Sequence, residues 1–224
     1  MKDGIEQLRA ARLNALFTAS CDALEAGRAA QAKRGFASLL KEFAAAPLLE
    51  SRYGLACYAL KEYAEAKRAF QRAVELEPCE CGHLFNLGLA LRRLGENSDA
   101  EKAWREVVQR EPESGDALYN LAGLLRESVR LDRRSEAIQL YRRVVALEPE
   151  NAAACNNLAS LLHREGLHAE AVEQYRRVVA LRPDDGGARH MLAALTGGRA
   201  ETPSPDYVAT LFDSVAAHFD QHLT

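Results

Sequence analysis

Apolar residues recur along most of this 224-residue chain at intervals of three and four, the spacing of helices with one buried face. The stretch 81–114 shows the pattern most clearly. Gly95 interrupts it, and Pro112 ends it, because a proline ring disfavours helical backbone in the residue before it. Two apolar stripes flank the glycine: Leu84, Leu87 and Leu91, then Ala100, Ala103, Trp104 and Val107. The stretch therefore predicts two helices joined by a turn.

The same hairpin pattern recurs along the chain, and its second helices are spaced by 34, 34, 37 and 34 residues. A small residue and then an aromatic one mark each second helix: Ala32 and Phe36, Ala66 and Phe70, Ala100 and Trp104, Ala137 and Tyr141, Ala171 and Tyr175. Another small residue, which lets the paired helices approach closely, marks each first helix: Ser20, Gly54, Gly88, Ala122 and Ala159. We predict five helical hairpins, over 13–46, 47–80, 81–114, 115–151 and 152–185.

Two of these units depart from the common pattern. In the first unit, Gly35 stands where we expect a larger side chain to pack better. The fourth unit is longer by three residues, and the spacing between Leu125 and Ala137 predicts that the insertion lies in the turn, around 128–134. Both helices of that unit are then expected to be intact.

The repeated small, aromatic and proline positions resemble those of the tetratricopeptide repeat (TPR) family, over about residues 13–185. The resemblance implies an all-α superhelical solenoid of five helix-turn-helix repeats, with a protein or peptide ligand in the concave groove. Residues 1–12 are predicted to form an N-terminal helical extension, and 186–197 a capping helix that covers the last repeat.

The C-terminal residues carry a different pattern. Glycines and prolines in 198–205 predict a linker. Residues 206–224 predict one amphipathic helix whose apolar stripe needs a partner: Tyr207, Val208, Leu211, Phe212, Val215, Phe219 and Leu223. The tail is similar to the junction between TPR repeats and an S-adenosylmethionine-dependent methyltransferase domain in bacterial proteins, through the paired Phe212-Asp213 and Phe219-Asp220.

That second resemblance implies that the chain is the recognition region of a methyltransferase whose catalytic domain lies beyond residue 224. S-adenosylmethionine would then be the cofactor of the longer parent, and no cofactor is expected within residues 1–224. The alternative is a stand-alone TPR scaffold or assembly protein without enzymatic activity, which self-associates through 206–224.

Composition narrows the classes of partner. A net charge of -3 and a pI near 6.1 provide no basic field for nucleic acid, so no nucleic-acid partner is expected. The chain has no apolar run of membrane-spanning length and no apolar signal-peptide core, so we expect a cytoplasmic protein without a membrane partner. Five cysteines, an odd number, indicate reduced thiols, with Cys57 and Cys155 as packing residues.

No catalytic motif is present, so residues 1–224 are not expected to be an enzyme by themselves. Cys79, Cys81 and His83 lie close together in sequence, but a structural zinc site normally has four protein ligands. His218 and His222 have helical zinc-binding spacing and lack a third ligand. We therefore expect no metal site.

The candidate binding residues lie on the first helices, which face the concave groove in TPR arrays. Asn86, Asn120 and Asn157 each take the sixth place of their unit and form a potential row of amides that bind a peptide main chain. This resembles the asparagine ladder of the O-linked GlcNAc transferases. The alternative is that these amides only satisfy neighbouring helix ends. Neighbouring first-helix residues belong to the same candidate surface: Phe85, Tyr119 and Asn156.

Charged positions further limit the ligand. Arg92 and Arg126 share a first-helix place with His163, near the mouth of the groove, which favours an acidic ligand. The two-carboxylate clamp of chaperone-binding TPR domains begins with a lysine. In this chain other residues take that place, which excludes the clamp: Phe17, Ser51, Phe85, Tyr119 and Asn156.

Overall fold

The computed structural model describes residues 2–197, and within that range the chain forms eleven α-helices and no strand. The helices are α1 (Lys2–Glu25), α2 (Ala29–Glu42), α3 (Pro47–Ala59), α4 (Tyr63–Leu76), α5 (Cys81–Arg93), α6 (Asn97–Arg110), α7 (Gly115–Leu125), α8 (Leu131–Leu147), α9 (Ala152–Arg164), α10 (His168–Leu181) and α11 (Gly186–Thr196). The predicted all-α class is confirmed. Residues 1–12 were predicted to extend the first repeat, and α1 runs through most of them and on into that repeat without a break.

The described residues divide into two compact units, the first ending at Ala117 and the second beginning at Leu118. In the first unit each helix from α1 to α6 packs against the next, and α3 also touches α5 directly. In the second unit α8, α9, α10 and α11 pack in the same consecutive way. Within each unit the architecture is a stack of antiparallel helical hairpins, which is the predicted TPR solenoid arrangement.

Glycines on the first helices explain how closely the hairpins of the first unit pack. A Cβ atom on Gly54 would lie 2.6 Å from the ring of Phe70, and one on Gly88 would lie 2.4 Å from Nε1 of Trp104. Both distances are shorter than any ordinary carbon contact. The aromatic ring of each second helix therefore lies directly on the backbone of the first.

The expectation for Gly35 was wrong. A Cβ atom at this position of α2 would lie 1.9 Å from Oγ of Ser20 on α1. The Ser20 hydroxyl is held there because it donates a hydrogen bond to the carbonyl of Leu16, at 2.6 Å. Glycine at 35 is therefore the residue that lets α1 and α2 meet, and a larger side chain would separate them.

The insertion in the fourth repeat is placed differently from the prediction. Helices α6 and α10 begin three residues before their marker alanines, Ala100 and Ala171, whereas α8 begins six residues before Ala137. Helix α8 is therefore three residues longer at its start, while α7 ends two residues earlier in register than α5, and the turn at 126–130 has five residues against three at 94–96. The turn is longer, as predicted, but the insertion is not confined to it. Arg134 fixes the remaining turn, since its Nη1 donates to the carbonyls of Ser128 and Val129 at 3.2 and 2.7 Å.

The described structure ends with α11, which packs against α10. The Asp185 carboxylate caps it by accepting a hydrogen bond from the backbone N–H of Ala188 at 2.8 Å, and Gly197 ends it with a φ of 72°. The predicted linker 198–205 and amphipathic helix 206–224 lie outside the described residues. Between residues 2 and 197, no helix combines the length and apolar character needed to cross a membrane.

Candidate functional site

The three asparagines of the predicted ladder lie on first helices, Asn86 on α5, Asn120 on α7 and Asn157 on α9. All three side chains are half-buried, as is Asn156 beside Asn157. Asn86 belongs to the first unit, and Asn120 and Asn157 belong to the second. Their immediate neighbours differ.

Asn157 is held by two side chains from the preceding repeat. Its Oδ1 accepts a hydrogen bond from Nη1 of Arg126 at 2.7 Å, and its Nδ2 donates to the hydroxyl of Tyr119 at 2.8 Å. Because a guanidinium has no acceptor, the bond from Arg126 fixes which end of the amide is the oxygen. The ring of Tyr119 packs edge-on against Tyr141, with ring centroids 5.7 Å apart. The amide therefore has one orientation.

A cavity of about 530 Å³ opens beside this amide. Its polar lining residues are Arg126, Glu127, Asn157, Ser160, His163 and Arg164. Nη2 of Arg164 donates to the carbonyl of Arg126 at 2.6 Å, which ties α9 to the end of α7. Nδ1 of His163 lies 3.3 Å from Nδ1 of His168, a distance that allows one ring to donate to the other.

The charge of this cavity is positive. Among the described residues, no carboxylate forms an ion pair with Arg126. The nearest ion-pair partner of Arg164 is Glu165, whose Oε1 lies 3.8 Å from Nε. That carboxylate already accepts a hydrogen bond from Arg134. Two guanidinium groups therefore face the cavity with little compensation.

The same places in the first unit are used differently. Arg92, which matches Arg126 in register, donates from Nη1 to Oδ1 of Asn97 at 2.9 Å. Phe85, which matches Tyr119, packs on the apolar cluster of α5 and α6, and its carbonyl accepts a hydrogen bond from Nε1 of Trp104 at 3.3 Å. In the described part of the chain, no side-chain hydrogen bond reaches Asn86. Its amide is therefore not oriented in the way that Asn157 is.

A separate polar network joins the first two repeats. Nζ of Lys33 on α2 donates to Glu62 and Glu65 at 2.6 and 2.7 Å, and the hydroxyl of Tyr53 also donates to Glu65. Hydrogen bonds from Lys33 and Tyr53 lower the pKa of Glu65, and hydrogen bonds to the two glutamates raise the pKa of Lys33. The network is therefore compensated internally.

This network also contains the set of side chains most like a metal site. In the described residues, the candidate ligand atoms of Cys57, Glu62 and Glu65 lie within 4.8 Å of one another. The ammonium group of Lys33 already bridges both carboxylates. Burial, and then the charge of Glu65, raise the pKa of the Cys57 thiol to about 11, so the thiolate that a metal would bind is scarce at neutral pH. The positive charge between the two carboxylates is therefore supplied by the Lys33 ammonium group.

The cysteines that stood out in the sequence occupy separate surroundings. Cys79 is exposed, whereas Cys81 is buried at the start of α5, where burial raises the pKa of its thiol. His83, two residues later, is also buried, with Nε2 3.6 Å from Oε2 of Glu77. Cys57 and Cys155 are free and fully buried, as expected of packing residues.

An apolar hollow, which the sequence analysis did not identify, lies among α1, α2 and α3. It has a volume of about 650 Å³ and is lined mainly by Leu13, Phe17, Leu39, Phe43, Leu48 and Leu49. Phe43 and Leu48 are 46% and 53% exposed. Phe43 directly follows α2 and Leu48 is the second residue of α3, so a search for apolar residues at and beside interhelical turns would have found them. The same rule applied to charged residues would have found Arg164 and His168 around Gly166.

Comparisons with known sequences identify the repeats. Two family models described as tetratricopeptide repeat match the chain, one over residues 85–133 and 124–186 and the other over 48–78. Together they cover more than half of the sequence. No curated protein matches it significantly.

Solved structures match over most of the chain. PilF of Pseudomonas aeruginosa matches with a TM-score of 0.73 and 17% identity, covering 85% of this chain and 87% of PilF. A MamA fragment from Desulfovibrio magneticus RS-1 matches with a TM-score of 0.67 and 21% identity, covering 77% and 97%. YrrB, described as a TPR protein with an unusual peptide-binding site, matches with a TM-score of 0.63 and 18% identity, covering 81% and 90%. At these identities the likeness concerns the fold. The helical hairpins and the matching family models together show that the chain belongs to the tetratricopeptide repeat family.

Proposed function

We propose that this protein binds an extended peptide segment of a partner protein through its first helices, with Asn157 as the best-prepared contact. The observation that carries the proposal is the fixed amide of Asn157, held by Arg126 and Tyr119 beside an open cavity of about 530 Å³. Tyr119, Asn120, Arg126 and Asn156 complete the proposed surface in the second unit. Phe85, Asn86 and Arg92 take the matching places of the first unit, and their part in binding stays a prediction from the sequence.

The geometry of Asn157 favours recognition of a peptide main chain. An amide offers two N–H donors and an oxygen with two lone pairs, and the bonds to Tyr119 and Arg126 use one donor and one lone pair. A peptide group presents the complementary donor and acceptor. Because the amide is already oriented, binding does not have to restrict its rotation, which removes part of the entropic cost. The description of YrrB as having a peptide-binding site adds support from a protein of the same fold.

The cellular role remains a choice between two proposals. The recognition arm of an S-adenosylmethionine-dependent methyltransferase rests on the sequence resemblance of the C-terminal tail, and no family model matches beyond residue 186. A stand-alone scaffold or assembly protein is consistent with the TPR matches alone. The coding sequence after residue 224 decides between them, since the first role requires a methyltransferase domain there. The cytoplasmic location and the lack of nucleic-acid or membrane partners stay predictions.

A peptide-selection experiment tests the binding proposal. The full chain is used to select ligands from a random-peptide library, and the affinity of the best peptide is then measured by titration calorimetry. We expect the triple variant Asn86→Ala, Asn120→Ala, Asn157→Ala to bind at least about tenfold more weakly, with Asn157→Ala giving the largest single loss.

The control is Gln139→Ala, which removes an exposed amide from the second helix α8. Circular dichroism checks that the variants keep their helices. Equal affinity of the wild type and a folded triple variant would remove the asparagines from the proposed site, and a selection that yields no ligand would contradict peptide binding itself.

A further inference from the structure

We propose that the cavity beside Asn157 receives a carboxylate of the bound peptide, so that the ligand class is an acidic peptide. This rests on the proposed function, because the same cavity lies beside the amide that would hold the main chain. The residues that carry the proposal are Arg126, Arg164 and His163, together with Ser160.

The balance of charge around the cavity is the first argument. Of its lining residues, Arg126 and Arg164 are cationic and Glu127 is the one carboxylate. In the described structure Arg126 has no ion-pair partner, and Arg164 has only Glu165, 3.8 Å away and already bonded to Arg134. An anion that enters the cavity therefore meets guanidinium groups whose charge is not yet neutralised, which strengthens hydrogen bonds to it.

The positions of the donors are the second argument. A guanidinium carries five N–H donors, and the hydrogen bonds of Arg126 to Asn157 and of Arg164 to the Arg126 carbonyl each use only one of them. These bonds hold both side chains in place, so the remaining donors are directed before a ligand arrives. The His163 ring is similarly positioned by its contact with His168, and the hydroxyl of Ser160 is exposed.

The third argument is the contrast with other arginines of the same unit. Arg134 is bonded to Glu165, Arg142 to Glu170, and Arg130 to Asp132. Three arginines of the second unit thus bind a carboxylate of their own chain. Arg126 is bonded instead to an amide, which has no charge to offer. The carboxylate that would complete its environment is the one we assign to the peptide.

The test compares matched peptides against matched variants. We expect peptides selected on the full chain to be rich in Asp and Glu. For the best of them, replacing its acidic residue with the neutral amide should weaken binding about tenfold, and the double variant Arg126→Gln, Arg164→Gln should weaken binding of the acidic peptide by a similar factor. The loss caused by the double variant should be about tenfold smaller for the neutral peptide than for the acidic one, because the change in the peptide and the changes in the protein remove the same charge interaction. A loss shared by both peptides reports the hydrogen bond by which Arg126 orients Asn157.

Three controls make the outcome specific. Arg176→Gln removes an exposed arginine from α10 in the same unit and should change nothing, and Arg126→Lys should restore part of the affinity by returning the charge. Peptides with a free or an amidated C-terminus show whether the carboxylate comes from the chain end or from an Asp or Glu side chain.

Selection of neutral or basic peptides, or an unchanged affinity of the arginine double variant for an acidic one, would overturn the acidic-ligand proposal and leave peptide binding itself intact. A failure of peptide binding as a whole would show instead as a selection that yields no ligand.

Discussion

Two polar networks join consecutive repeats in this protein, and they are built from the same kinds of residue. In the first unit, Lys33 binds the carboxylates of Glu62 and Glu65, and Tyr53 donates to Glu65. In the second unit, Arg126 and Tyr119 bind the amide of Asn157. Each network contains a cation and a tyrosine, but only the first contains carboxylates. The first is complete in itself, whereas the second has positive charge left to interact with a ligand.

The two units also differ in how their helices approach. In the first unit glycine meets a ring without a hydroxyl, Gly54 with Phe70 and Gly88 with Trp104. In the second unit alanine takes that place, Ala122 with Tyr141 and Ala159 with Tyr175. The rings of the first unit therefore lie against glycine backbone, although the rings of both units are almost completely buried. The tyrosines of the second unit bring hydroxyl groups into its helix pairs.

The largest effect is expected from a substitution that prevents the close approach of α5 and α6 in the first unit. Gly88→Ala places a Cβ 2.4 Å from Nε1 of Trp104, whose ring is 1% exposed and has no room to move away. We expect a loss of about 2 kcal/mol in the free energy of unfolding, measured by urea denaturation, after the gain in helix propensity is included. Gly123→Ala is the matched control, since its Cβ would lie 3.5 Å from the Tyr141 hydroxyl, and it should be neutral or stabilising. Equal losses of unfolding free energy in both variants would contradict the proposed difference in helix packing between the two units.

The second prediction, of intermediate size, distinguishes the two networks by how the stability of the protein responds to low pH. Hydrogen bonds from Lys33 and Tyr53 hold the pKa of Glu65 below its usual value of 4.5. A lowered folded pKa contributes stability that is present above the usual pKa and is lost as pH falls through the folded pKa. We expect the wild type to lose stability below about pH 4.5, and Glu65→Gln to lose less over the same range. Thermal unfolding across pH 3 to 7 measures the difference.

The control for the acid experiment is Glu75→Gln, an exposed glutamate of the same helix α4. It should follow the wild type. The Arg126, Asn157 and Tyr119 network contains no carboxylate, so hydrogen exchange around Asn157 should not share this acid dependence. If Glu65→Gln and the wild type lose stability in parallel, the first network is not the source of the acid sensitivity.

The smallest effect concerns the turns. Lys61 has a φ of 62°, a left-handed conformation, where the corresponding turn residues Gly27, Gly95 and Gly166 are glycines. We expect Lys61→Gly to stabilise the protein by about 0.5–1 kcal/mol in urea denaturation, because glycine adopts this conformation without a steric cost. Gly95→Ala should show a loss of similar size. A destabilised Lys61→Gly variant would mean that contacts of the lysine outweigh its backbone strain.

The class of fold could be predicted from the sequence because each repeat is marked by its spacing. Small and aromatic residues at fixed distances are a direct record of helix packing, so their spacing is enough to pair Gly88 with Trp104. The spacing could not explain Gly35. Glycine is needed there because the Ser20 hydroxyl of another helix lies where a Cβ atom would be. The insertion was misplaced because spacing gives the number of extra residues and does not show whether they join the turn or the helix.

The candidate site was only partly predictable. Register alone identified Asn86 and Asn157 as equivalent, but register does not report which side chains from the preceding repeat reach each amide. Tyr119 and Arg126 orient Asn157, whereas Asn86 has no such bond within the described structure. The partners come from residues more than thirty positions away, and their contacts depend on rotamers that a repeat pattern does not encode.

The additional helical turn at the start of α8 affects local unfolding of the loop that precedes it. Arg134, which lies in this turn, holds the carbonyls of Ser128 and Val129 and at the same time binds Glu165 at the end of the following first helix. The Arg134 and Glu165 side chains are only 20% and 12% exposed. The loop can therefore unfold locally only if this connection to the next hairpin breaks. A segment that would ordinarily fray becomes part of a larger cooperative unit, in which the fourth and fifth hairpins tend to open together.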